Sequence, residues 1–453
     1  MPLTNLIKYH KIPLLFVLLS SIFYLSFAYD LVRTDITKLL LLYIALFIFA
    51  YQIIKTTGFY FRLLVISAIL FRLLFLLAIP NLSQDFYRFI WDGQMIISGM
   101  NPYLSTPDFQ MAEGMLSSFP NQNELYQGMG ELSASHFTNY PPLNQLCFVL
   151  GNLFPGKSIL SSIIGMRLII IAADIGTLYF GKKLLERLKL PSNRIFWYIL
   201  NPFIIIELTG NLHFEGVMIF FLVWSLYLLH SGKWKWAAVI LACSISVKLI
   251  PLMFLPLFFW WFYMKDNPLK GIKKLVLFYA ITIITVLMLF LPFFSIEFIN
   301  NYSKTVGLWF GDFEFNASIY YLIREIGFAI TGYNEIVIIG KLLPIISLLI
   351  ILGFSFFKDN NTILKLTTSM LLTIAFYLFL STTVHPWYIV TLILFCIFTN
   401  YKFPLVWSIV IIFSYLAYSN TSNSENLWVI GLEYSIVFLA FIWEVILKKR
   451  IKI

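Results

Sequence analysis

Ser83-Gln84-Asp85-Phe86-Tyr87-Arg88-Phe89-Ile90-Trp91-Asp92-Gly93 stands just after a long apolar run, residues 62–80, that Pro80 closes. Two carboxylates, one guanidinium and several aromatic rings therefore gather at the end of a hydrophobic segment. Asp85 and Asp92 are seven residues apart, two helical turns, so a helix here places both acids on one face. Phe86, Phe89 and Ile90, with Met95 and Ile96, then form the opposite, lipid-facing side. Such a segment lies at a membrane surface with its acids toward a cavity. Nearly everything else in the chain is apolar, so chemistry is expected in this polar loop.

Composition sets the class. Of 453 residues, 60% are hydrophobic and 18% aromatic, while only 12% are charged. A soluble domain of this length needs far more polar surface, whereas a bundle of membrane helices does not. The expected fold is an all-α polytopic membrane protein. The formal charge of +10 is carried by short basic clusters between apolar runs, the pattern of cytoplasmic loops facing anionic lipid and not that of a nucleic-acid groove. Cys147, Cys243 and Cys396 lie inside apolar segments without CxxC spacing, so they read as small packing residues. Ser26-Phe27-Ala28 has the look of a signal-peptidase site, but the run before it is long enough to span and many more follow. An uncleaved first helix is expected, preceded by Lys8, His10 and Lys11.

Runs suited to crossing are roughly 12–28, 38–54, 62–80, 159–180, 195–209, 214–230, 237–264, 275–295, 335–357, 366–383, 387–400, 404–419 and 428–447. The 237–264 run carries Lys248, Pro251 and Pro256 and is expected to be two short helices meeting at the outer face. Residues 141–154 are apolar over only about 14 positions, roughly 21 Å as a helix, and read as re-entrant. These give about 12–15 transmembrane or re-entrant helices. Basic clusters at Lys182, Lys183, Arg187, Lys189 and Arg194, at Lys233 and Lys235, and at Lys265, Lys270, Lys273 and Lys274 are assigned to the cytoplasm. Lys448, Lys449, Arg450 and Lys452 join them. Loops 81–140, 296–316 and 420–427 and the turn at His385 then face outward. The chain is read as a single integral-membrane domain, 1–453, with 81–140 as an extracytoplasmic catalytic loop. No short internal repeat and no inverted repeat is visible.

Asp85 leads the candidate residues. An acid just outside a membrane and backed by an apolar wall has the raised proton affinity a general base needs, and a helix-capping acid is the plain alternative. Asp92 divides the same way. Arg88 stands between the acids, either in an intrahelical ion pair or facing an anionic substrate group. Lys248, in Val-Lys-Leu-Ile-Pro, is costly in a bilayer and suits a lipid phosphate, snorkelling or an internal pair. Arg72, within another apolar run, pairs with Asp174 or Glu207 in the structural reading. His213 and Glu215, in Asn211-Leu212-His213-Phe214-Glu215-Gly216, lack a complete metal-ligand set and read as polar lining of the cavity. His385 precedes Pro386 at the outward end of a helix, placed to hydrogen-bond a phosphate or sugar hydroxyl. Residues 308–316, Leu-Trp-Phe-Gly-Asp-Phe-Glu-Phe-Asn, either stack on a sugar or rest on lipid. There is no P-loop, dinucleotide fingerprint, HExxH or GxSxG.

Taken together these motifs resemble the GT-C class of integral-membrane glycosyltransferases. The likeness is to the bacterial polyprenol-phosphate-mannose-dependent mannosyltransferases and to the catalytic subunit of the first GPI mannosyltransferase. It is carried by Gln84-Asp85-Phe86-Tyr87-Arg88, Trp91-Asp92-Gly93, Gly99-Met100-Asn101-Pro102-Tyr103 and Tyr140-Pro141-Pro142-Leu143. Ala173-Asp174-Ile175, Leu200-Asn201-Pro202, residues 210–216, Val247-Lys248-Leu249-Ile250-Pro251 and His385-Pro386-Trp387-Tyr388 follow in family order. The resemblance implies a GT-C-like helix bundle with a large first outward loop that carries surface helices. It implies a polyprenyl-phosphate sugar donor, mannose before other sugars, and a glycan or glycolipid acceptor. It makes Asp85 the base of an inverting transfer, with Lys248, His385 and Arg88 as phosphate or sugar ligands; Asp92, His213 and Glu215 remain substrate-binding candidates on the residue reading above, Asp92 either positioning the acceptor or holding the helix and Arg88. The D-x-D pair of the GPI enzymes is absent, since Ser83 and Gln84 precede Asp85, and neither a cofactor nor a metal is implied. The expected partners are donor, acceptor and membrane lipid, not nucleic acid, and the expected location is a bacterial inner membrane with the site on the extracytoplasmic face. A transporter or flippase of a lipid-linked or polar substrate is the rival. It predicts charges along a mid-bilayer path, whereas the polar residues here concentrate toward one face. A polymerase or ligase of O-antigen usually carries its large outward loop late in the chain.

Overall fold

A computed structural model describes residues 11–58, 60–114, 120–264, 267–311, 313–420 and 424–451. Lys8, His10, Lys265, Asp312 and Lys452 lie outside them, as do the side chains of Trp309 and Phe310. Among the described residues the secondary structure is helical, with a single isolated bridge between Phe315 and Thr383. Six helices are long and apolar enough to cross a membrane: Lys11–Tyr29, Ile36–Thr57, Ile159–Arg187, Pro268–Phe293, Ile336–Phe356 and Leu427–Ile446. A seventh candidate is the pair Pro202–Gly210 and Glu215–His230, bent by 115°. The remaining apolar runs become shorter helices, among them Trp234–Val247, Ile250–Tyr263, Ile363–Phe379, Pro386–Phe398 and Phe403–Ser419. The chain is a multi-pass, all-α membrane protein.

Several expected elements take a different form, each for a local reason. The 62–80 run is helical only over Phe61–Leu73 and then unwinds toward Asp85. Two carbonyls of the unwound part, Leu76 and Ala78, accept hydrogen bonds from the buried Arg167 guanidinium at 3.0 and 2.7 Å. Non-helical backbone inside a membrane protein persists where such partners satisfy it. The 237–264 run does break, with Lys248 in extended geometry between Trp234–Val247 and a 3-10 turn at Ile250–Phe258. Residues 142–152 form a helix of 11 residues, about 16 Å long, half of a hydrocarbon core. The expected loop 296–316 is instead largely the helix Ile296–Gly311. Phe298 and Tyr302 of that helix pack on Tyr103, and Asn301 donates to the Tyr103 carbonyl at 3.1 Å, so it closes over the 81–140 segment.

Asp85–Ile97 forms the helix expected from its spacing, but its apolar side does not face lipid. Phe86, Phe89, Ile90 and Met95 are buried inside the protein. Phe89 stacks on Phe148 at 4.6 Å and meets Phe214 edge-on at 5.7 Å. Gly93 permits the close approach to Pro142–Asn152: a Cβ there would stand 2.8 Å from the Phe148 carbonyl oxygen. This docking fixes the start of the Asp85 helix relative to the 211–214 bend.

Candidate active site

Asp85 is the first residue of its helix, and Ser83 Oγ accepts its backbone N–H at 3.3 Å. Its side chain is 35% exposed, so it is open to solvent, and the helix N-terminus favours its charged form. Burial nevertheless dominates and pushes its carboxyl above the ordinary carboxylate range; His213 and Lys248 pull it down and Glu215 pushes it further up. An acid of that kind accepts protons more readily than a solvated aspartate.

Asp92, the other acid, does not share that exposure. Its carboxylate is wholly buried, bound to Arg88 Nε at 2.7 Å through Oδ1 and to Gln145 Nε2 at 3.1 Å through Oδ2. Arg88 also donates to the carbonyls of Ser133 and His136. The pair therefore clamps the Asp85 helix to the end of the 81–140 segment, and the structure keeps Arg88 and Asp92 together with Asp92 buried. Arg72 likewise pairs with Asp174, at 2.7 Å, and donates to two carbonyls; of its two candidate partners it takes Asp174.

The 211–214 bend brings His213 to Asp85. Its Nε2 stands 3.9 Å from Asp85 Oδ2 and its Nδ1 stands 3.3 Å from Glu207 Oε2. The bend begins with the π-helical turn Ile205–Gly210 and contains Leu212 at φ 63°, a left-handed backbone rare for a branched residue. Arg167 holds this turn as well, donating to Thr209 and Gly210 carbonyls at 2.8 and 3.0 Å. One buried guanidinium thus ties the unwound segment before Asp85 to the turn before His213. Glu215 begins the next helix and pairs with Lys248 at 3.1 Å; Glu215 is 1% exposed and Lys248 20%. The Lys248 ammonium also lies over the Tyr140 ring, 4.9 Å from its centroid.

His385 joins the group through aromatic stacking. Trp387 lies between the two histidines, 3.8 Å from His213 and 4.6 Å from His385, nearly parallel to the latter. Phe315 covers the far face of His385 at 5.1 Å, and it is held in place by backbone bonds to Thr382 and Val384. Burial lowers the His385 ring from its ordinary value to about 3, with His213 and Lys248 adding to the effect. At neutral pH it is therefore a neutral hydrogen-bonding ring and not a cation.

Asp85, His213, Glu215, Lys248 and His385 are thus brought together, while Arg88 and Asp92 form a supporting pair. Two further contributors are not marked out by the sequence motifs. Arg167 interrupts an apolar stretch as Arg72 does, and the rule that singles out intramembrane charge applies to it equally. Glu207 entered only as a possible partner of Arg72, because no spacing rule shows that a π-turn will aim it at His213. The arrangement offers a partly exposed carboxyl of raised proton affinity, an ammonium near it, and aromatic and neutral imidazole surfaces around both.

Comparison with known proteins adds a family. A family model described as "Alpha-(1->6)-mannopyranosyltransferase, N-terminal domain" matches residues 21–264. Alpha-(1->6)-mannopyranosyltransferase A of Mycobacterium tuberculosis (strain ATCC 25618 / H37Rv) is 22% identical over 222 residues. That alignment covers 49% of this chain and 41% of the relative, less than half of its length. The family match contains Asp85, Glu207, His213, Glu215 and Lys248 and stops before His385.

Proposed function

This chain belongs to the alpha-(1->6)-mannopyranosyltransferase family, and from that premise we propose that it transfers mannose from a polyprenyl-phosphate donor to a glycan or glycolipid hydroxyl. Asp85 removes the hydroxyl proton as the acceptor oxygen bonds to the anomeric carbon. The bond from that carbon to the phosphate oxygen breaks, and its electron pair leaves with the lipid phosphate. One displacement inverts the anomeric centre. Lys248 meets the phosphate charge, which grows as the bond breaks, so its attraction is strongest in the transition state. His385 supplies a neutral hydrogen bond to phosphate or sugar.

The observation that carries this reading is the meeting of Asp85, with its raised proton affinity and open side chain, and Lys248, from distant parts of the chain. A donor embedded in the membrane reaches such a site without any nucleotide-binding device. The basic clusters, read by the positive-inside rule, support an extracytoplasmic site, and the membrane of this reading is a bacterial inner membrane.

The test incubates purified protein with radiolabelled polyprenyl-phosphate-mannose and a manno-oligosaccharide acceptor. Transfer lost in Asp85→Asn, with the variant folded, supports the base; transfer at the wild-type rate removes it. Movement of the lipid-linked sugar across proteoliposomes without glycosidic product would replace the enzyme reading with that of a transporter.

A further inference from the structure

His213 is 1% exposed, yet neither of its ring nitrogens makes an aligned hydrogen bond. Buried polar groups are normally paired, so an imidazole aimed between two carboxylates calls for an explanation. Glu207 is as deeply buried, and both its oxygens accept hydrogen bonds, from Tyr415 Oη at 2.8 Å and from Asn211 Nδ2 at 3.3 Å. The Asn211 amide is oriented by its other end, since Asn211 Oδ1 accepts from the Leu82 N–H at 3.4 Å. A carboxylate supplied by donors in this way is set to accept from Nδ1–H of His213 as well. That choice of tautomer leaves the Nε2 lone pair facing Asp85.

We propose that Glu207, His213 and Asp85 form a proton relay in which Glu207 fixes the His213 tautomer and His213 Nε2 takes over the proton that Asp85 removes from the acceptor. The proposal rests on the glycosyl-transfer reading above. When the acceptor O–H bond breaks, its electron pair forms the new bond to the anomeric carbon and its proton goes to Asp85. The Asp85 O–H then donates to Nε2, the imidazolium is held between two carboxylates, and Asp85 is ionised again. The departing lipid phosphate is a monoester with a second pKa of about 6, basic enough to carry the proton away. The gap of 3.9 Å is too long for a hydrogen bond, and it must close when substrate binds. Trp387 stacks on the ring at 3.8 Å.

Other groups that bear on Asp85 are Lys248, Glu215, Tyr140, Tyr388 and Tyr418, and His213 acts on His385 across Trp387. None of them stands between Glu207 and His213.

The test compares pH profiles of kcat/KM for His213→Gln, Glu207→Gln and Glu207→Asp with wild type, on protein shown to be folded by its unfolding transition. In H213Q, kcat is expected to fall by at least about tenfold with the donor KM within about twofold. In E207Q the fixed Asn211 donor keeps the amide oxygen toward Nδ1–H while the amide nitrogen turns to the Tyr415 hydroxyl, so the tautomer stays, but the negative charge that disfavours ionised Asp85 is removed. The acid limb is expected to move down by about half a pH unit or more. E207D, which keeps the carboxylate, is expected to return the limb toward wild type. Profiles of H213Q and E207Q that match wild type would overturn the relay. So would an equal loss in E207Q and E207D accompanied by lowered unfolding temperatures, which marks a structural role. If D85N is inactive while H213Q and E207Q behave as wild type, the base survives and only the relay falls; if D85N is active, both fall.

Discussion

Burial raises the proton affinity of Asp85 against the opposing pull of His213 and Lys248, with Glu215 adding to the rise. Two consequences follow from the sign. A carboxyl raised in the folded state stabilises the fold most below its unfolded value, and that stabilisation is lost as pH climbs through the folded value. Asp85→Asn, which is neutral throughout, should therefore unfold at an equal or higher temperature than wild type at neutral pH, with the difference vanishing in acid. Its transfer rate should fall by about a hundredfold or more. Thermal unfolding in detergent across pH, beside the transfer assay, checks both; an asparagine variant that is less stable at neutral pH contradicts the desolvated carboxylate. Because the base must be ionised, wild-type transfer should decline on the acid side at a pH above the ordinary carboxylate range. His385, held neutral, adds no step of its own near pH 6. The Lys248–Glu215 pair gives a different signature. Removing the ammonium alone strands a carboxylate that is 1% exposed, and breaking a buried pair costs about 3–5 kcal/mol in general; partial exposure of Lys248 places this one at the lower end or below. Lys248→Gln should thus lower both stability and donor affinity. Adding Glu215→Gln should restore much of the stability and little of the transfer, a split that a double-mutant cycle reads directly. Equal recovery of both would show that the ammonium holds Glu215 and does not meet the donor.

At the scale of elements, the site is built from helices that stop early. Phe61–Leu73 ends before Asp85, Ile205–Gly210 widens to a π-turn before His213, and Trp234–Val247 breaks at Lys248. Arg167 accounts for two of these three, since its guanidinium donates to the carbonyls of Leu76, Ala78, Thr209 and Gly210. Substituting Arg167→Met keeps the volume of the stem but leaves four carbonyls without that donor. With about 1–3 kcal/mol for each buried group left unpaired and some relaxation, a loss of several kcal/mol is expected. Asp85 and His213 would then separate, so surviving folded protein should show a lower kcat as well; an R167M variant with wild-type stability and rate would show that the staple is dispensable. This is also where the sequence was hardest to read. Apolar runs, their order and the break at Lys248 follow from hydropathy and proline positions, and motif order singles out Asp85. The unwinding after Leu73 does not, because the run to Pro80 remains apolar throughout and the cause is a side chain from another helix. The same holds for Asp92: its spacing from Asp85 does put it on the same helix, but Gln145, far along the chain, decides that it is buried.

For the whole molecule, the question is which side of the membrane holds the site. The basic clusters that the positive-inside rule uses are spread over several loops, with Glu186 and Lys189 among the exposed residues at the end of Ile159–Arg187 and just past it. Ser135, exposed at the end of the Gln122–Ala134 helix, belongs to the segment that Arg88 clamps to the Asp85 helix. These two positions lie on opposite sides of the bilayer if the site is extracytoplasmic. The native thiols interfere little with labelling, since Cys147 and Cys396 are buried and Cys243 is partly so. Ser135→Cys should therefore react with a membrane-impermeant maleimide in cells or spheroplasts with an intact inner membrane, and Glu186→Cys should react only after permeabilisation. The reverse pattern would put Asp85 and Lys248 on the cytoplasmic side. A donor assembled there could be used without crossing the bilayer, so the orientation bears on chemistry as well as topology. Six long spans and one bent pair leave the parity of crossings open to the shorter helices. Labelling at Lys233 and Lys270, replaced one at a time by cysteine, fixes it: all basic loops should be protected together, and label from outside at Lys233 would show that the bent pair before it crosses only once.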